Sequence, residues 1–350
     1  MLQTNKPGDV PNRLADAERR ARLLVERNGE LTAGLLINPT SRRNKKHLGK
    51  IIQRVASCRH LHYCVTDDPG DVPDALSFLA GKSADLLVIA GGDGTISKVF
   101  THLLGEGPFE PLPTVVILPG GTANMTGGDV GLKGSVLAAM RRLCDWLELQ
   151  SGQVSILSRP ILRVQSDPHQ AARYGMFFGA GAVVQGINYT NENIHSRGLK
   201  DEFSLGLGLL RSLWGISRRD PRFFRPTDMA IGIDGRPHES QQSVTLMLVS
   251  SLERLFLNMH PYWGEENGKP LHVSVIRDPA HRFLRTLPSV LRGKPNRHLT
   301  PEMGYVSYNV ESISLSFDGP FTLDGEIVQP GSASGPVEIS NGGELAFLKI

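Results

Sequence analysis

Two short strings hold the side chains of this 350-residue chain best suited to chemistry. The first is Gly91-Gly92-Asp93-Gly94-Thr95. Its glycines let the backbone turn sharply and approach a ligand with no Cβ in the way. Backbone N–H groups at the start of a following helix can hold phosphate, helped by the helix dipole. Asp93 is out of place in simple anion binding; a carboxylate beside phosphates points to a bridging Mg²⁺ or to a hydrogen bond with a hydroxyl. The second string is Leu323-Asp324-Gly325-Glu326. In an extended segment Asp324 and Glu326 share a face, and paired carboxylates can divide the work of general base and metal ligand. An Asp-Gly pair also reads simply as a hairpin turn.

The elements around these strings follow from apolar runs. Residues 86–89 form a continuous apolar run, suited to a strand buried on both faces of a parallel sheet. Ile96, Val99, Leu103 and Leu104 follow at helical spacing. Residues 31–37 read as the first strand and run into the polar turn Asn38-Pro39-Thr40-Ser41, with a basic stretch behind it. A polar turn at the C-terminal end of a strand is where open α/β sheets place ligands; a Pro-initiated turn beside a solvated basic cluster is the competing reading. Residues 48–55 read as a helix, 61–65 as a strand ended by Thr66, 74–79 as a helix, and 114–118 as a fourth strand. That strand leads to a second glycine turn, Gly120-Gly121-Thr122-Ala123-Asn124. Two glycine turns after buried strands suggest one nucleotide held between neighbouring loops. Residues 135–149 read as an amphipathic helix.

Beyond residue 150 the apolar segments become short and alternating, at 154–157, 161–164, 174–178, 229–233, 244–249, 271–276, 306–308 and 312–317. The fold class expected is therefore an α/β N-terminal nucleotide-binding domain, a parallel sheet with flanking helices, followed by a β-rich sandwich. Helices are expected over 203–216 and 282–291. The first is very apolar and reads as a core helix, as a wall of a greasy pocket or as a membrane-facing lid. Residues 1–30 read as a peripheral extension, with a helix over 13–27.

Composition is that of an ordinary globular protein, 40% hydrophobic and 21% charged, with a net charge of +3. This mild basicity does not require nucleic acid, and no nucleic-acid partner is expected. The 3 cysteines, Cys58, Cys64 and Cys144, are odd in number and lack metal-ligand spacing, as in a reduced cytoplasmic setting. No apolar run reaches the roughly 20 residues of a membrane span.

The strings AGGDGT at 90–95, NPTS at 38–41, LPGGTAN at 118–124 and LDGE at 323–326 together resemble the motif set of the diacylglycerol kinase catalytic family, in that family's order. The resemblance runs from about residue 31 to the C-terminus. It implies an ATP-binding domain over 31–150, joined by 331–350, and a β-sandwich lipid-substrate domain over 151–330, with the active site between them. It implies an ATP- and Mg²⁺-dependent kinase of phospholipid metabolism that phosphorylates a lipid hydroxyl, such as that of diacylglycerol or a sphingoid base, working from the cytoplasm at a membrane surface. It also allows a homodimer. By the same resemblance Asn38, Pro39, Thr40, Ser41, Thr66, Gly91, Gly92, Gly94, Thr95, Ser97, Gly121, Thr122 and Asn124 would line the nucleotide. Asp93 would associate with phosphate and metal, Asp324 would be the base, and Glu326 would support it.

The chain departs from the family pattern at Arg42, at Ser97-Lys98 and at Met125. Glu266-Asn267-Gly268 stands where the family has a metal-associated Asp-Asp-Gly, so Glu266 is a second metal candidate. Lys98 reads either as a phosphate contact or as part of a solvated helix face. A soluble-substrate kinase of the NAD kinase type, or a nucleotide- or lipid-binding homologue with little catalysis, are the alternatives.

Overall fold

In the computed structural model the described residues are 19, 21–23, 31–105, 107–149, 153–190, 202–236, 240–330 and 335–350. Residues 19 and 21–23 are helical; the rest of the helix expected over 13–27 lies outside the described residues.

The first half alternates strand and helix. In chain order it runs β1 (Ala33–Ile37), α1 (Arg42–Ala56), β2 (Leu61–Val65), α2 (Val72–Gly81), β3 (Leu86–Gly91), α3 (Asp93–Gly105), β4 (Thr114–Pro119), α4 (Met125–Val130) and α5 (Val136–Leu149). The strands lie parallel in the order β4-β3-β1-β2. Every residue of β1, β3 and β4 is buried, because helices cover both faces; this is why those strands read as unbroken apolar runs. Two apolar clusters result. One contains Leu76, Phe100 and Ile117, the other Ile51, Val88 and Leu143. The chain order reverses between β1 and β3, so the loops after β1, β3 and β4 gather along one edge of the sheet, where open α/β sheets leave a ligand crevice.

The second half is β-rich: β5 (Ser155–Gln165), β6 (Arg173–Gly175), β7 (Phe177–Gly181), α6 (Ala182–Tyr189), α7 (Glu202–Ser217), β8 (Thr227–Ile233), β9 (Gln242–Ser250), β10 (Leu271–Arg277), α8 (Phe283–Arg292), β11 (Tyr305–Val310), β12 (Ser312–Phe317), β13 (Phe321–Leu323), β14 (Glu326–Val328) and β15 (Val337–Lys349). Among the described strands of this half the pairings are antiparallel. Their inward residues, among them Val164, Phe178, Val249, Leu315 and Phe321, form one core, with the Phe178 and Phe321 rings stacked 5.1 Å apart.

The elements differ from the sequence reading in three instructive places. The strands expected at 154–157 and 161–164 are one strand, β5, held along its length by β15. Pro160 sits beside the register shift between Asn341 and Glu344, where a missing N–H does least harm. The strand expected over 174–178 breaks at Met176, because the N–H groups of Met176 and Phe177 turn to the Asp324 carboxylate instead of a neighbouring strand. Helix α6 was not foreseen; it starts after Gly181, which holds φ +66°. Strand β15 also carries Phe347 to a parallel pairing with Val115 of β4, so the C-terminal segment ties the two halves together.

Candidate active site

The site is built from the loops at the C-terminal edge of the parallel sheet and from the β13–β14 hairpin facing them. The loop after β1 is organised by Asn38. Its Oδ1 accepts from the backbone N–H of Thr40 (2.9 Å) and Ser41 (3.1 Å) and from the Thr40 hydroxyl (2.7 Å). Its Nδ2 donates to Thr95 Oγ1 at 2.8 Å, which fastens the first turn to the glycine loop. Pro39 is buried behind this turn and Thr40 is exposed. Thr66 is buried, and both its N–H and its hydroxyl donate to the Ile37 carbonyl. In the second glycine turn Asn124 adopts the left-handed conformation, φ +45°, accepts from the Gly121 N–H at 2.8 Å and returns a bond to the Gly121 carbonyl at 2.9 Å. Thr122 is half-buried beside it.

The glycines are not equivalent. A Cβ on Gly121 would stand 2.6 Å from the Gly92 Cα, and one on Gly120 2.9 Å from the Gly91 backbone, so these two are demanded by the approach of the two turns. A Cβ on Gly91 would stand 2.6 Å from the Thr95 side chain. On Gly92 it would meet nothing closer than the Gly121 Cα at 3.4 Å, an ordinary contact. Protein packing therefore does not account for glycine at position 92, whereas a ligand pressed against that backbone would.

Asp93 is buried. Its oxygens accept from the N–H groups of Met125 (3.1 Å) and Thr126 (3.0 Å) at the start of α4, joining the two glycine turns; burial pushes its carboxyl above the usual range, against the pull of those bonds. Asp324 lies opposite, buried, with φ +48°. Its carboxylate accepts from Met176 N–H (3.2 and 3.1 Å) and Phe177 N–H (2.9 Å), and its own N–H donates to the Phe177 carbonyl at 2.8 Å. Burial, and then the charge of Asp93, raise its pKa well above that of an ordinary carboxylate. Glu326 reaches Gly94, where a Cβ would stand 2.7 Å from its Oε1, and pairs with Lys98 at 3.0 Å. Lys98 is a half-exposed partner for Glu326, a pairing worth little in stability.

Not every expected residue meets the site through its side chain. The Ser97 hydroxyl is buried and donates to the Tyr174 carbonyl at 2.7 Å, stitching α3 to β6. Glu266 is exposed and lines a separate cavity of about 1200 Å³ with Lys269, His272 and Asn309. That cavity's lining contains no residue of either glycine turn, so the structure does not bring Glu266 to Asp93. Among the described residues no three of His, Cys, Asp or Glu stand together as a metal-holding group.

Two residues escaped the sequence reading. Asn44, within the basic stretch after the first turn, is fully buried; its Nδ2 donates to the carbonyls of Asn38 (2.8 Å) and Ala90 (2.7 Å), bracing β1 against β3. Asn44→Ala removes one bond from each carbonyl, leaving Ala90 to accept from the Asn38 N–H and Asn38 from the Ser41 N–H; the two lost bonds are expected to cost about 1–3 kcal/mol, read as a lower urea midpoint with unchanged slope. The second is Gly175, where a Cβ would collide with Asp324 Oδ2. Gly175→Ala is expected to lower stability by roughly 1–3 kcal/mol in the same titration, and to lower turnover by displacing Asp324. No local signal announces either role, since Ala90 and Asp324 lie far from Asn44 and Gly175 in the chain.

A smaller cavity of about 370 Å³ adjoins the second glycine turn and is bounded by Arg43, Asn124, Lys133, Arg254 and Leu257. A parallel α/β half with two facing glycine turns is thus set against a carboxylate-bearing hairpin of a β-rich half.

The family model of the diacylglycerol kinase catalytic domain matches residues 32–153. The diacylglycerol kinase of Bacillus subtilis (strain 168) is 25% identical over 310 residues, covering 85% of this chain and 92% of that protein. A crystal structure of a putative diacylglycerol kinase from Bacillus anthracis str. Sterne shares the fold, with a TM-score of 0.61 at 20% identity over 90% of this chain and 96% of that one. A second structure from the same organism gives 0.59 at 18% identity, with the same coverage. Residues 32–153 thus carry the pattern of the diacylglycerol kinase catalytic domain, and the chain shares the fold of these structures.

Proposed function

We propose that this chain transfers the γ-phosphate of ATP to a hydroxyl of a membrane lipid, diacylglycerol or a sphingoid base being the acceptor class. The observation that carries the reading is the β13–β14 hairpin set against the glycine loop, where Glu326 Oε1 lies 2.7 Å from the position of a Cβ on Gly94. Asp324 is buried, held by two backbone N–H groups of the β-rich half, and close enough to Asp93 for that charge to raise its pKa.

In this reading residues 31–150, with 331–350, grip the nucleotide, and 151–330 present the acceptor. The triphosphate lies along the turns at Asn38–Ser41, Gly91–Thr95 and Gly121–Asn124. The open face of Gly92 admits the phosphates, and Arg43, Lys133 and Arg254 around the adjoining cavity make the local field favourable to an anion. Asp324 takes the hydroxyl proton as the acceptor oxygen attacks in line. Phosphoryl transfer asks the protein mainly for positioning and charge stabilisation, and one placed carboxylate with a cradle of backbone amides is sufficient for both. Asp93, a buried carboxylate with no cationic side chain paired to it among the described residues, would be the residue to hold Mg²⁺ beside the phosphates. When bound, that ion neutralises phosphate charge. Glu326, steered by Lys98, flanks the pair.

The test is transfer of labelled phosphate from ATP in the presence of Mg²⁺ to a panel of diacylglycerol, sphingosine and NAD in detergent micelles. Label in the lipid phase is expected. Label in NAD alone would favour the soluble-substrate alternative, and nucleotide binding with no transfer to any acceptor would favour a non-catalytic homologue.

A further inference from the structure

The C-terminal part of helix α7 forms a surface that phosphoryl transfer does not use. Leu210 and Trp214, one helical turn apart, are 64% and 50% exposed. The guanidinium groups of Arg211 and Arg218 lie 5.3 and 5.0 Å from the Trp214 ring. Arg218, Arg219, Arg222 and Arg225 follow, all exposed. The acids that answer them among the described residues are Asp220, which pairs with Arg211 (3.6 Å) and Arg222 (2.7 Å), and Asp278, which pairs with Arg219 (3.1 Å). Arg218 and Arg225 have no acidic partner among the described residues.

Helix α8 extends this surface. Phe283 packs on the cluster of Ile216 and Phe223, and the Arg219–Asp278 pair ties the end of α7 to the loop before α8. The helix has no acidic residue; it displays Leu284, 55% exposed, beside Arg282 and Arg285. Arg282, Arg285 and Arg297 also crowd His298, and their charges add to desolvation in lowering its pKa.

Isolated exposed leucines are unremarkable. An exposed Trp–Leu pair inside a belt of arginines in excess of their acids is a different pattern. Tryptophan suits the headgroup boundary of a bilayer, arginines can reach headgroup phosphates while their stems cover apolar surface, and excess basic charge is drawn to anionic lipid. No described helix is long and apolar enough to cross a membrane, so such a face would lie on the bilayer. We propose that this face docks on an anionic lipid bilayer, with Leu210 and Trp214 entering the headgroup boundary and the unpaired arginines meeting lipid phosphates. The inference goes beyond the kinase reading and does not require it, because docking is measured without nucleotide.

The full chain is sedimented with vesicles of phosphatidylcholine alone, or of equal parts phosphatidylcholine and phosphatidylglycerol. Binding to the anionic vesicles is expected to be tighter by about tenfold or more and to weaken with added salt. Leu210→Ser with Trp214→Ser should weaken it at least about fivefold. The fully exposed-site variant Arg218→Gln, Arg225→Gln, Arg285→Gln should abolish the anionic preference while melting as the parent does. Equal binding to both vesicles, binding to neither, or parent-like binding by the arginine variant would overturn the proposal. A chain that phosphorylates no lipid in micelles but still prefers anionic vesicles keeps the docking face and loses the kinase reading.

Discussion

Asp324→Asn is expected to lower kcat by about 10²- to 10⁴-fold, the span a positioned general base contributes, with ATP affinity unchanged. The substitution suits the site. Asparagine tolerates the left-handed backbone that Asp324 adopts at φ +48°, and its Oδ1 can accept from the N–H groups of Met176 and Phe177 as the carboxylate does. What is lost is the proton acceptor. Stability should move the other way. Burial and the charge of Asp93 raise the pKa of Asp324 in the folded chain, so the folded state holds that proton to higher pH than the unfolded state does. The stability this group contributes is complete below its unfolded pKa and is lost as pH rises through the raised folded value. At neutral pH the parent bears that loss and the uncharged variant does not, so Asp324→Asn should melt at a higher temperature than the parent there, and the gap should close on acidification into the ordinary carboxylate range. A variant that is both inactive and less stable at neutral pH would mean that it has disrupted the fold. Retained turnover would remove Asp324 from the chemistry. The same raised pKa sets the acid limb of kcat/KM in the parent, which should fall at a pH above the ordinary carboxylate range.

The second large effect is expected at Gly92. Gly92→Val should fold with near-parent stability, because the nearest atom to a Cβ there is the Gly121 Cα at 3.4 Å. It should weaken ATP binding by roughly 5- to 150-fold, the overpacking cost of about 1–3 kcal/mol expressed as affinity. Gly121→Ala is the contrast: its Cβ would stand 2.6 Å from the Gly92 Cα and 3.0 Å from Asn124 Oδ1, and it should lower the melting temperature itself. Calorimetric titration with ATP alongside thermal melts separates the two. Normal ATP affinity in Gly92→Val would contradict the assignment of the glycine loop to phosphate.

These two residues mark what a sequence can and cannot reveal here. The glycine turns were legible because each follows a strand buried on both faces, and such strands are unbroken apolar runs. Asp324 and Glu326 were legible as a pair, but the side chains that set their positions were not. The Met176 and Phe177 amides, the missing Cβ of Gly175 and the Lys98 ammonium are long-range partners, and nothing in local spacing encodes a contact across that distance. Asn44 was hidden by its basic neighbours, which suggest solvent where there is a buried brace between β1 and β3. Asn38 and Ser97, expected to line the nucleotide, have side chains engaged in holding Thr95 and the Tyr174 carbonyl. Strand β15 was hard to read because Asn341-Gly342-Gly343 resembles a turn; in the folded chain it is the irregularity at which a long strand passes from one half to the other.

The central claim is that one cleft holds a triphosphate against Gly92 and an acceptor hydroxyl against Asp324. A crystal structure with a non-hydrolysable ATP analogue tests it most directly. The account predicts phosphate density against the Gly91–Thr95 and Gly121–Asn124 turns, with the terminal phosphorus on the side facing Asp324. Phosphates bound elsewhere, for instance in the cavity beside Glu266 and Lys269 with the glycine turns empty, would contradict it.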